Sequence, residues 1–368
     1  MSAAAAAAAG TGGAAGGSGQ LQPFLLNAQQ YTEAPFLNWT QAMGAAQVDI
    51  TPPPQVTPGN FLDGIDLFIS ASGGVLGTTA TITGGAYSVL NSISFVNTNG
   101  GPILYPMGLF EYAMAQKYLR PWVGDPAKDA EYSNTINPNV KVELAISVKD
   151  TLAILSNTDA RAQYRLNISL APLTSLVSVT TGVTAPTITV KAALVSRAQP
   201  PSNDYMGRPI NPFPPGIGVS RKLMTQTINM PASGTATLQL SLTGDEIRGF
   251  IFIFSDSSGA RTDLTDANAG TILFRQDNGV QWWMTPTQWV NRMERFYAQY
   301  PMGLNRETGV YVIPRFRSPN GGDPWLATVE QTYLVLQLGS ADVAGGTVEV
   351  IYDNIAVGVP LDPSMESI

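Results

Sequence analysis

Acidic residues in two short segments are the side chains of this sequence best suited to chemistry. The first segment holds Asp125, Asp129 and Glu131 close to Pro126. Carboxylates so close together could bind a cation, or act as the acid pair with which glycosidases cleave a sugar bond. A proline beside acidic residues is also typical of a solvated turn. We favour the turn and predict neither a metal site nor a catalytic site here.

The second segment offers calcium the oxygen ligands that it prefers, from Asp263, Asp266 and Asn268. An EF-hand loop needs a longer series of ligands at alternating positions and a glutamate at its end. The segment has neither feature, so we predict no metal site in it.

Two adjacent tryptophans, Trp282 and Trp283, could form a stacking platform for a sugar, as in lectin-like sandwiches. Adjacent residues of a strand point to opposite faces of its sheet. We therefore expect one tryptophan to pack in a core and the other to lie at an interface.

The remaining motifs carry little information about function. Asn38-Trp39-Thr40 and Asn167-Ile168-Ser169 fit the N-glycosylation pattern, which matters only in a secreted protein. Gly216-Ile217-Gly218 lacks the third glycine of a dinucleotide-binding loop, and no glycine-rich stretch is followed by Gly-Lys-Ser or Gly-Lys-Thr.

The sequence of 368 residues contains neither histidine nor cysteine, so it lacks the commonest general base and the commonest metal ligand of proteins. A Ser-His-Asp triad, a cysteine nucleophile, a disulfide and a His/Cys zinc site are all impossible. Apolar residues make up 44% of the chain and charged residues only 13%, about half the usual share of charge. Low charge is typical of surfaces that lie against other protein. We predict a structural protein without cofactor or metal, and not an enzyme.

The positive charges are unevenly distributed, and no Lys or Arg precedes Lys117. Binding a nucleic-acid backbone requires clustered positive charge, so we expect no direct contact with nucleic acid from the N-terminal third. No apolar run reaches the roughly 18–20 residues of a membrane span. Residues 2–19 are rich in Ala and Gly and lack the positive charge of a secretory signal.

From residue 47 onward, short runs of alternating apolar and polar residues are separated by Gly, Asn and Pro. In Val140 to Val148, every second residue is apolar. This period of two is typical of a strand with one buried face, and many such strands indicate a sandwich or barrel. Thr328 to Leu338 is apolar on both faces and should be central or interfacial. The predicted fold class is all-β and mainly antiparallel.

The composition divides the chain into an arm, two strand-rich blocks, a connector with six prolines and a short tail. We expect the arm to hold an Ala/Gly-rich start and short helical pieces that dock on their own sandwich or on a neighbouring subunit, in preference to a lipid surface. The predicted parts are 1–46 (arm), 47–197 (first block), 198–216 (connector), 217–361 (second block) and 362–368 (tail).

The two blocks share a repeated pattern, which is the most informative feature of the sequence. At an offset of 179 residues, Ile93, Phe95, Asn99, Gly100, Met114 and Tyr118 recur as Ile272, Phe274, Asn278, Gly279, Met293 and Tyr297. At an offset of 186, Ile65, Leu67, Phe68, Ser72 and Gly73 recur as Ile251, Ile253, Phe254, Ser258 and Gly259. Each copy reads as a strand, an Asn-Gly turn and then a helix.

The helix of the second copy is the better specified of the two. Thr285 fits an N-cap and Pro286 the first helical position. Trp289, Met293 and Phe296 then fall on one face of the helix. The helix of the first copy should run from about Leu109 to Leu119.

The stretch from Trp289 to Tyr311 resembles the double jelly-roll major capsid proteins of tectivirus-like, membrane-containing bacteriophages of the adenovirus lineage. It carries a helix with Trp and Arg, then Tyr300-Pro301-Met302-Gly303, and then Gly309-Val310-Tyr311 at the start of a strand. The resemblance implies two jelly-roll β-sandwiches in tandem, each with a short inserted helix, after an N-terminal arm.

The same resemblance implies a function. Three chains would form a pseudo-hexagonal homotrimer that tiles an icosahedral viral shell beside neighbouring trimers and minor capsid or penton proteins. The arm would face an internal viral membrane, and the protein would be made in the host cytoplasm and reside in the virion. Two alternatives stay open: a carbohydrate-binding or glycoside-hydrolysing double sandwich, and a spike or appendage subunit.

Overall fold

The structure is a computed structural model that describes residues 22–82, 85–97, 100–119, 135–146, 155–158, 163–212, 220–241, 244, 246–277, 279–296, 306–314, 326–327 and 332–356. In chain order, the first half contains α1 (Phe24–Asn27), β1 (Gln30–Thr32), β2 (Leu37–Ala42), β3 (Val48–Asp49), β4 (Phe61–Ser72), β5 (Leu90–Val96), β6 (Pro102–Met107), α2 (Leu109–Tyr118), β7 (Asn139–Ala145), β8 (Leu155–Ser156), β9 (Arg165–Leu170) and β10 (Thr187–Arg197).

The second half contains β11 (Ser220–Asn229), β12 (Thr235–Leu240), β13 (Glu246–Ser255), α3 (Asp266–Ala269), β14 (Ile272–Gln276), β15 (Gly279–Met284), α4 (Pro286–Phe296), β16 (Val310–Pro314), β17 (Leu326–Ala327), β18 (Leu334–Gly339) and β19 (Thr347–Ala356). Short 3-10 turns lie at Ala86–Val89, Leu173–Ser175 and Ala341–Val343.

Each half folds into two antiparallel sheets with the same strand order. In the first half, one sheet has the order β2-β10-β4-β7, with β1 beside β10 and β8 beside β4, and the other has the order β3-β9-β5-β6. In the second half, the corresponding orders are β11-β19-β13-β16, with β17 beside β13, and β12-β18-β14-β15. Two such four-stranded sheets make a jelly roll. The prediction of two tandem jelly rolls is therefore confirmed.

The inserted helices occupy equivalent places in the two jelly rolls. α2 follows β6 and precedes β7, and α4 follows β15 and precedes β16. At the start of α4, the Gln288 amide N–H donates to Thr285 Oγ1 at 3.4 Å, and the Thr285 N–H donates to Gln288 Oε1 at 3.1 Å. This reciprocal capping box fixes the helix start where the sequence predicts it.

The structure confirms one offset of the repeat and corrects the other. The offset of 179 holds for β5 and β14, where Ile93 pairs with Met107 and Ile272 pairs with Met284. The two methionines are 177 positions apart, so the second hairpin is two residues shorter than the first. Upstream, both central strands contain a bulge, whose extra residue is Asp63 in β4 and Arg248 in β13. These two residues are 185 positions apart.

The predicted offset of 186 is therefore wrong by one residue. A slip of one residue along a strand moves every side chain to the other face of the sheet. The true partner of the buried Ile65 is Phe250, which contacts Phe274 of the opposite sheet at 5.4 Å between ring centroids. Ile251 points away from that core. The offset of 186 matched Ile65 with Ile251, and the error of one residue was not apparent because both faces of β13 are apolar.

The N-terminal arm joins the first jelly roll more closely than its sequence suggests. We predicted short helical pieces after Phe24, but only the single turn α1 is helical. Its continuation forms β1 and β2, which pair antiparallel with β10, and Trp39 of β2 lies opposite Val190. The prediction of helical pieces is wrong over this stretch because backbone pairing with β10 overrides local propensity.

Thr328 to Leu338 was expected to be central or interfacial because both its faces are apolar. Within it, β18 lies between β12 and β14, and Leu334, Val335, Leu336 and Leu338 are buried. The central position is confirmed for β18, and residues 328–331 lie outside the described part. Among the described residues, no helix is long and apolar enough to cross a lipid bilayer.

The second jelly roll has an aromatic core centred on Trp289 of α4, which is 1% exposed. Its ring contacts Phe252 at 5.7 Å and Tyr311 at 5.1 Å between centroids, and its Nε1–H donates to the Val312 carbonyl at 2.9 Å. Removing this ring would leave a cavity and an unpaired carbonyl.

We expect Trp289→Ala to lower the free energy of unfolding by about 3–5 kcal/mol. Equilibrium denaturation of the isolated chain measures the change. Trp283→Ala is the matched control, since Trp283 is 67% exposed and its loss should change stability by less than about 0.5 kcal/mol. Equal losses in the two variants would contradict this account of the core.

Candidate functional site at the junction of the two jelly rolls

Of the two acidic segments, only the second lies within the described residues. Asp125, Asp129 and Glu131 lie outside the described residues, as does Gly216-Ile217-Gly218. The side chains of the second segment each bind different partners within the protein. Asp263 accepts from the Gly309 amide at 2.7 Å and from Arg306 at 2.8 Å, and Asn268 donates to Asp342 at 2.6 Å.

The remaining member of that segment, Asp266, accepts a hydrogen bond from the Thr287 amide at 2.8 Å. This hydrogen bond holds the pKa of Asp266 below its usual range. Asp266 thus ties α3 to the first turn of α4. The segment holds neighbouring elements together, and the described residues contain no group of three or more acidic side chains able to hold a metal ion.

The two tryptophans point in opposite directions, as the strand geometry predicts. Trp282 faces inward, with its ring 5.1 Å from that of Trp289 and the Arg292 guanidinium 5.0 Å from its centroid. Trp283 is 67% exposed on the outer face of β15. The two rings therefore cannot form a joint platform for a sugar.

The glycosylation motifs both fall on strands of the first jelly roll. Asn38 begins the first motif on β2, where it pairs with Lys191. Asn167 begins the second on β9 and donates to Ser94 Oγ at 3.1 Å. Both asparagines thus belong to paired strands of a sheet.

The junction between the two jelly rolls contains polar contacts that join the two halves of the chain. β6 of the first jelly roll packs against β11 of the second, and α2 packs against β13 and β19. Sequence reasoning missed the charged residues of this junction. No local pattern marks them, because each partner lies in the other half of the chain.

A buried ion pair lies in this junction. Lys117 of α2 donates to Glu307 of the second jelly roll at 2.6 Å, and their side chains are only 7% and 6% exposed. Tyr118 OH donates to the other carboxylate oxygen of Glu307. Burying two charges is costly unless they are paired and hydrogen-bonded, so this arrangement requires a defined position of one jelly roll against the other.

Two cation–π contacts also cross the junction. The Arg261 guanidinium lies 4.1 Å from the centre of the Phe110 ring, and Lys222 Nζ lies 5.7 Å from that of Tyr105. In both pairs the cation belongs to the second jelly roll and the ring to the first. Such contacts add about 0.5–2 kcal/mol each, depending on how far the cation is removed from water.

Two carboxyl groups meet at the same junction. Glu111 from the first turn of α2 and Glu349 from β19 lie close enough for their side chains to affect each other's ionisation. They line a cavity of about 390 Å³ to which both jelly rolls contribute, including Asn91, Ser92 and Thr225. Burial, followed by the negative charge of Glu111, raises the pKa of Glu349 to about 8.

No protein-family model and no curated protein matches this sequence. Solved structures do match it over most of its length. The crystal structure of the STIV MCP is 14% identical, with a TM-score of 0.59 over 92% of this chain and 99% of that one. The atomic structure of Sulfolobus Turreted Icosahedral Virus is 13% identical, with a TM-score of 0.60 over 93% of this chain and 94% of that one.

A quasi-atomic model of the PBCV-1 virus capsid is 12% identical, with a TM-score of 0.55 over 89% of this chain and 93% of that one. This chain therefore has the double jelly-roll fold of viral major capsid proteins, and the predicted resemblance is confirmed for this class. Of the motif that carried it, Gly309-Val310-Tyr311 begins β16, and Tyr300-Pro301-Met302-Gly303 lies outside the described residues.

Proposed function

We propose that this chain is a major capsid protein that assembles with copies of itself as pseudo-hexagonal homotrimers. The single observation that carries the proposal is the junction between the two jelly rolls. Each jelly roll has two surfaces of the kinds that meet there, and the junction occupies only one surface of each jelly roll. The β6 edge and α2 of the first jelly roll meet β11 and β19 of the second. By the repeat, β15 and α4 are the equivalents of β6 and α2, and β2 and β10 are the equivalents of β11 and β19.

Within the described residues, these equivalent surfaces do not pack on each other. β2 and β15 are edge strands of sheets in different jelly rolls. A second copy can bring them together by repeating the internal junction, with β15 and α4 of one chain against β2 and β10 of the next. Three chains supply six jelly rolls, which close a ring when each junction turns the next jelly roll by one sixth of a full circle. A ring of six equivalent units can tile a shell.

Side chains at the open surface support this pairing. Trp283 occupies the place that Tyr105 and Pro106 occupy in β6, because Met284 and Met107 pair in the same way with Ile272 and Ile93. In the internal junction, Tyr105 contacts Lys222 of the other jelly roll. An exposed tryptophan at the equivalent position is a natural anchor for an interface between subunits.

The proposal includes the remaining expectations from the sequence. The partners are neighbouring trimers and minor capsid or penton proteins, the arm of residues 1–46 contacts protein or an internal viral membrane, and no nucleic acid is bound directly. The chain is made in the host cytoplasm, resides in the virion shell and acts as a structural protein. The division into 47–197 and 217–361, with 198–216 as connector, is part of the same proposal, with β1 and β2 of the arm completing a sheet of the first jelly roll.

The test is the mass and shape of the purified full-length protein. We expect analytical ultracentrifugation to give a trimer and electron micrographs to show six-lobed particles or shells. The mass of a single chain at every concentration would contradict the proposal. Fibres or tip-bearing particles would support the appendage alternative, and binding on a glycan panel would revive the sandwich that binds or cleaves carbohydrate.

A further inference from the structure

The carboxyl pair at the junction has an unusual hydrogen-bonding requirement. The Glu111 and Glu349 side chains line one cavity between α2 and β19 and are placed to hydrogen-bond to each other. Ionised carboxylates are acceptors only, so this bond exists only while one of the two groups keeps a proton. Each group belongs to a different jelly roll, and the shared proton therefore connects the two.

The surroundings of the pair favour the protonated form. Burial raises the pKa of Glu111 as well as that of Glu349. Oε2 of Glu111 is buried and makes no hydrogen bond within the described residues. On the Glu111 side, the backbone of Gly108 and the charge of Arg261 favour ionisation, and Arg261 also lies on the Phe110 ring. Glu349 has no such counter-charge in the described part, and its charged neighbour is Glu111.

We propose that Glu111 and Glu349 form a proton-operated latch between the two jelly rolls. With one proton shared, the pair joins α2 to β19. When both groups ionise, two negative charges face each other in the cavity and push the two jelly rolls apart. The latch lies within a single chain, so the proposal does not depend on assembly into a shell.

The direction of the pH dependence follows from the proton count. An unfolded glutamate ionises near its ordinary pKa of 4.5, whereas Glu349 in the folded chain ionises near 8. Between these values the folded chain keeps a proton that the unfolded chain has lost. The latch therefore stabilises the chain fully below about pH 4.5, and this stabilisation declines up to about pH 8. Each pH unit in this window shifts the unfolding equilibrium about tenfold.

The test compares the full chain with Glu349→Gln at a concentration where both are monomeric. Glutamine keeps the shape and can donate to Glu111, but it cannot ionise. Denaturant titrations at pH 5.5 and 7.5 should show the unfolding constant of the wild type rising about a hundredfold more than that of the variant. Glu111→Gln removes only the negative charge beside Glu349, so it should narrow the pH-dependent window without abolishing it, because burial still raises the pKa of Glu349. Glu294→Gln, on α4, should leave the wild-type profile unchanged.

A second measurement uses the wild-type chain alone, so it does not depend on whether a variant folds. Infrared spectra of the wild-type chain should show a protonated carboxylic acid at pH 7 that disappears above about pH 9. A wild type without this absorption at pH 7, or glutamine variants with the wild-type pH profile, would overturn the latch. Neither result bears on the trimer, whose test is the mass of the assembled protein.

Discussion

Replacing Lys117 by methionine is expected to destabilise the chain by about 3–5 kcal/mol, because it leaves a charge buried without its partner. Glu307 is 6% exposed at its side chain and receives hydrogen bonds from Lys117 at 2.6 Å and from Tyr118. Methionine fills much of the volume of lysine but donates nothing. The carboxylate would then keep only part of the stabilisation that allows it to be buried.

The measurement is the free energy of unfolding from denaturant titration of the monomeric chain. The matched control is Arg208→Met, which removes an ion pair to Asp204 at 2.7 Å whose arginine side chain is 52% exposed. The Asp204 side chain is 5% exposed but keeps hydrogen bonds from the Met206 and Arg208 amides, so loss of the half-exposed arginine should cost no more than about 1 kcal/mol. A loss below about 1 kcal/mol for Lys117→Met would mean that water reaches the junction and that the two jelly rolls are not rigidly joined.

A second substitution separates the cost of burying a charge from the loss of packing. In Lys117→Met combined with Glu307→Gln, no unpaired charge remains in the junction. We expect the double variant to be more stable than the single one, since a neutral pair of similar volume often replaces a buried ion pair at little cost. If the double variant is no more stable, packing around Lys117 accounts for the effect.

The parts of this fold that are specified locally could be predicted from the sequence. Thr285, Pro286 and Trp289 encode the start and the buried face of α4 within five consecutive positions, and the structure has the helix where they place it. The strands follow from alternation in the same way. The offset of 179 was visible because Ile93 and Phe95 of β5 are buried at the same positions as Ile272 and Phe274 of β14.

The parts that depend on distant partners could not be predicted. β4 and β13 each contain a bulge that shifts their pairing with β10 and β19 by one residue. The alternation of apolar and polar residues cannot reveal such a shift where both faces of a strand are apolar. Lys117 and Glu307 are 190 residues apart in the sequence. In the sequence, neither residue can be distinguished from a charged residue on the surface, because only the folded junction brings the two together. The same holds for Glu111 and Glu349.

Replacing Trp283 by glutamate is expected to weaken self-association at least about thirtyfold while leaving the fold intact. Tryptophans at the centre of interfaces commonly contribute about 2 kcal/mol or more, and a buried charge without a partner adds to the loss. Trp283 is 67% exposed in the single chain, so the substitution removes little from the core. Its neighbour Trp282 packs on Trp289 and must stay unchanged in this experiment.

Sedimentation equilibrium over a range of protein concentrations measures the association constant, and circular dichroism shows whether the fold is kept. The matched control is Tyr205→Glu, which places the same charge at an aromatic residue that is 91% exposed in the connector, away from β15. Because the repeat assigns β15, and not the connector, to the contact between copies, only Trp283→Glu should dissociate the assembly. Equal dissociation by both variants would show that general surface charge governs association, and an assembly unaffected by Trp283→Glu would mean that β15 does not form the contact.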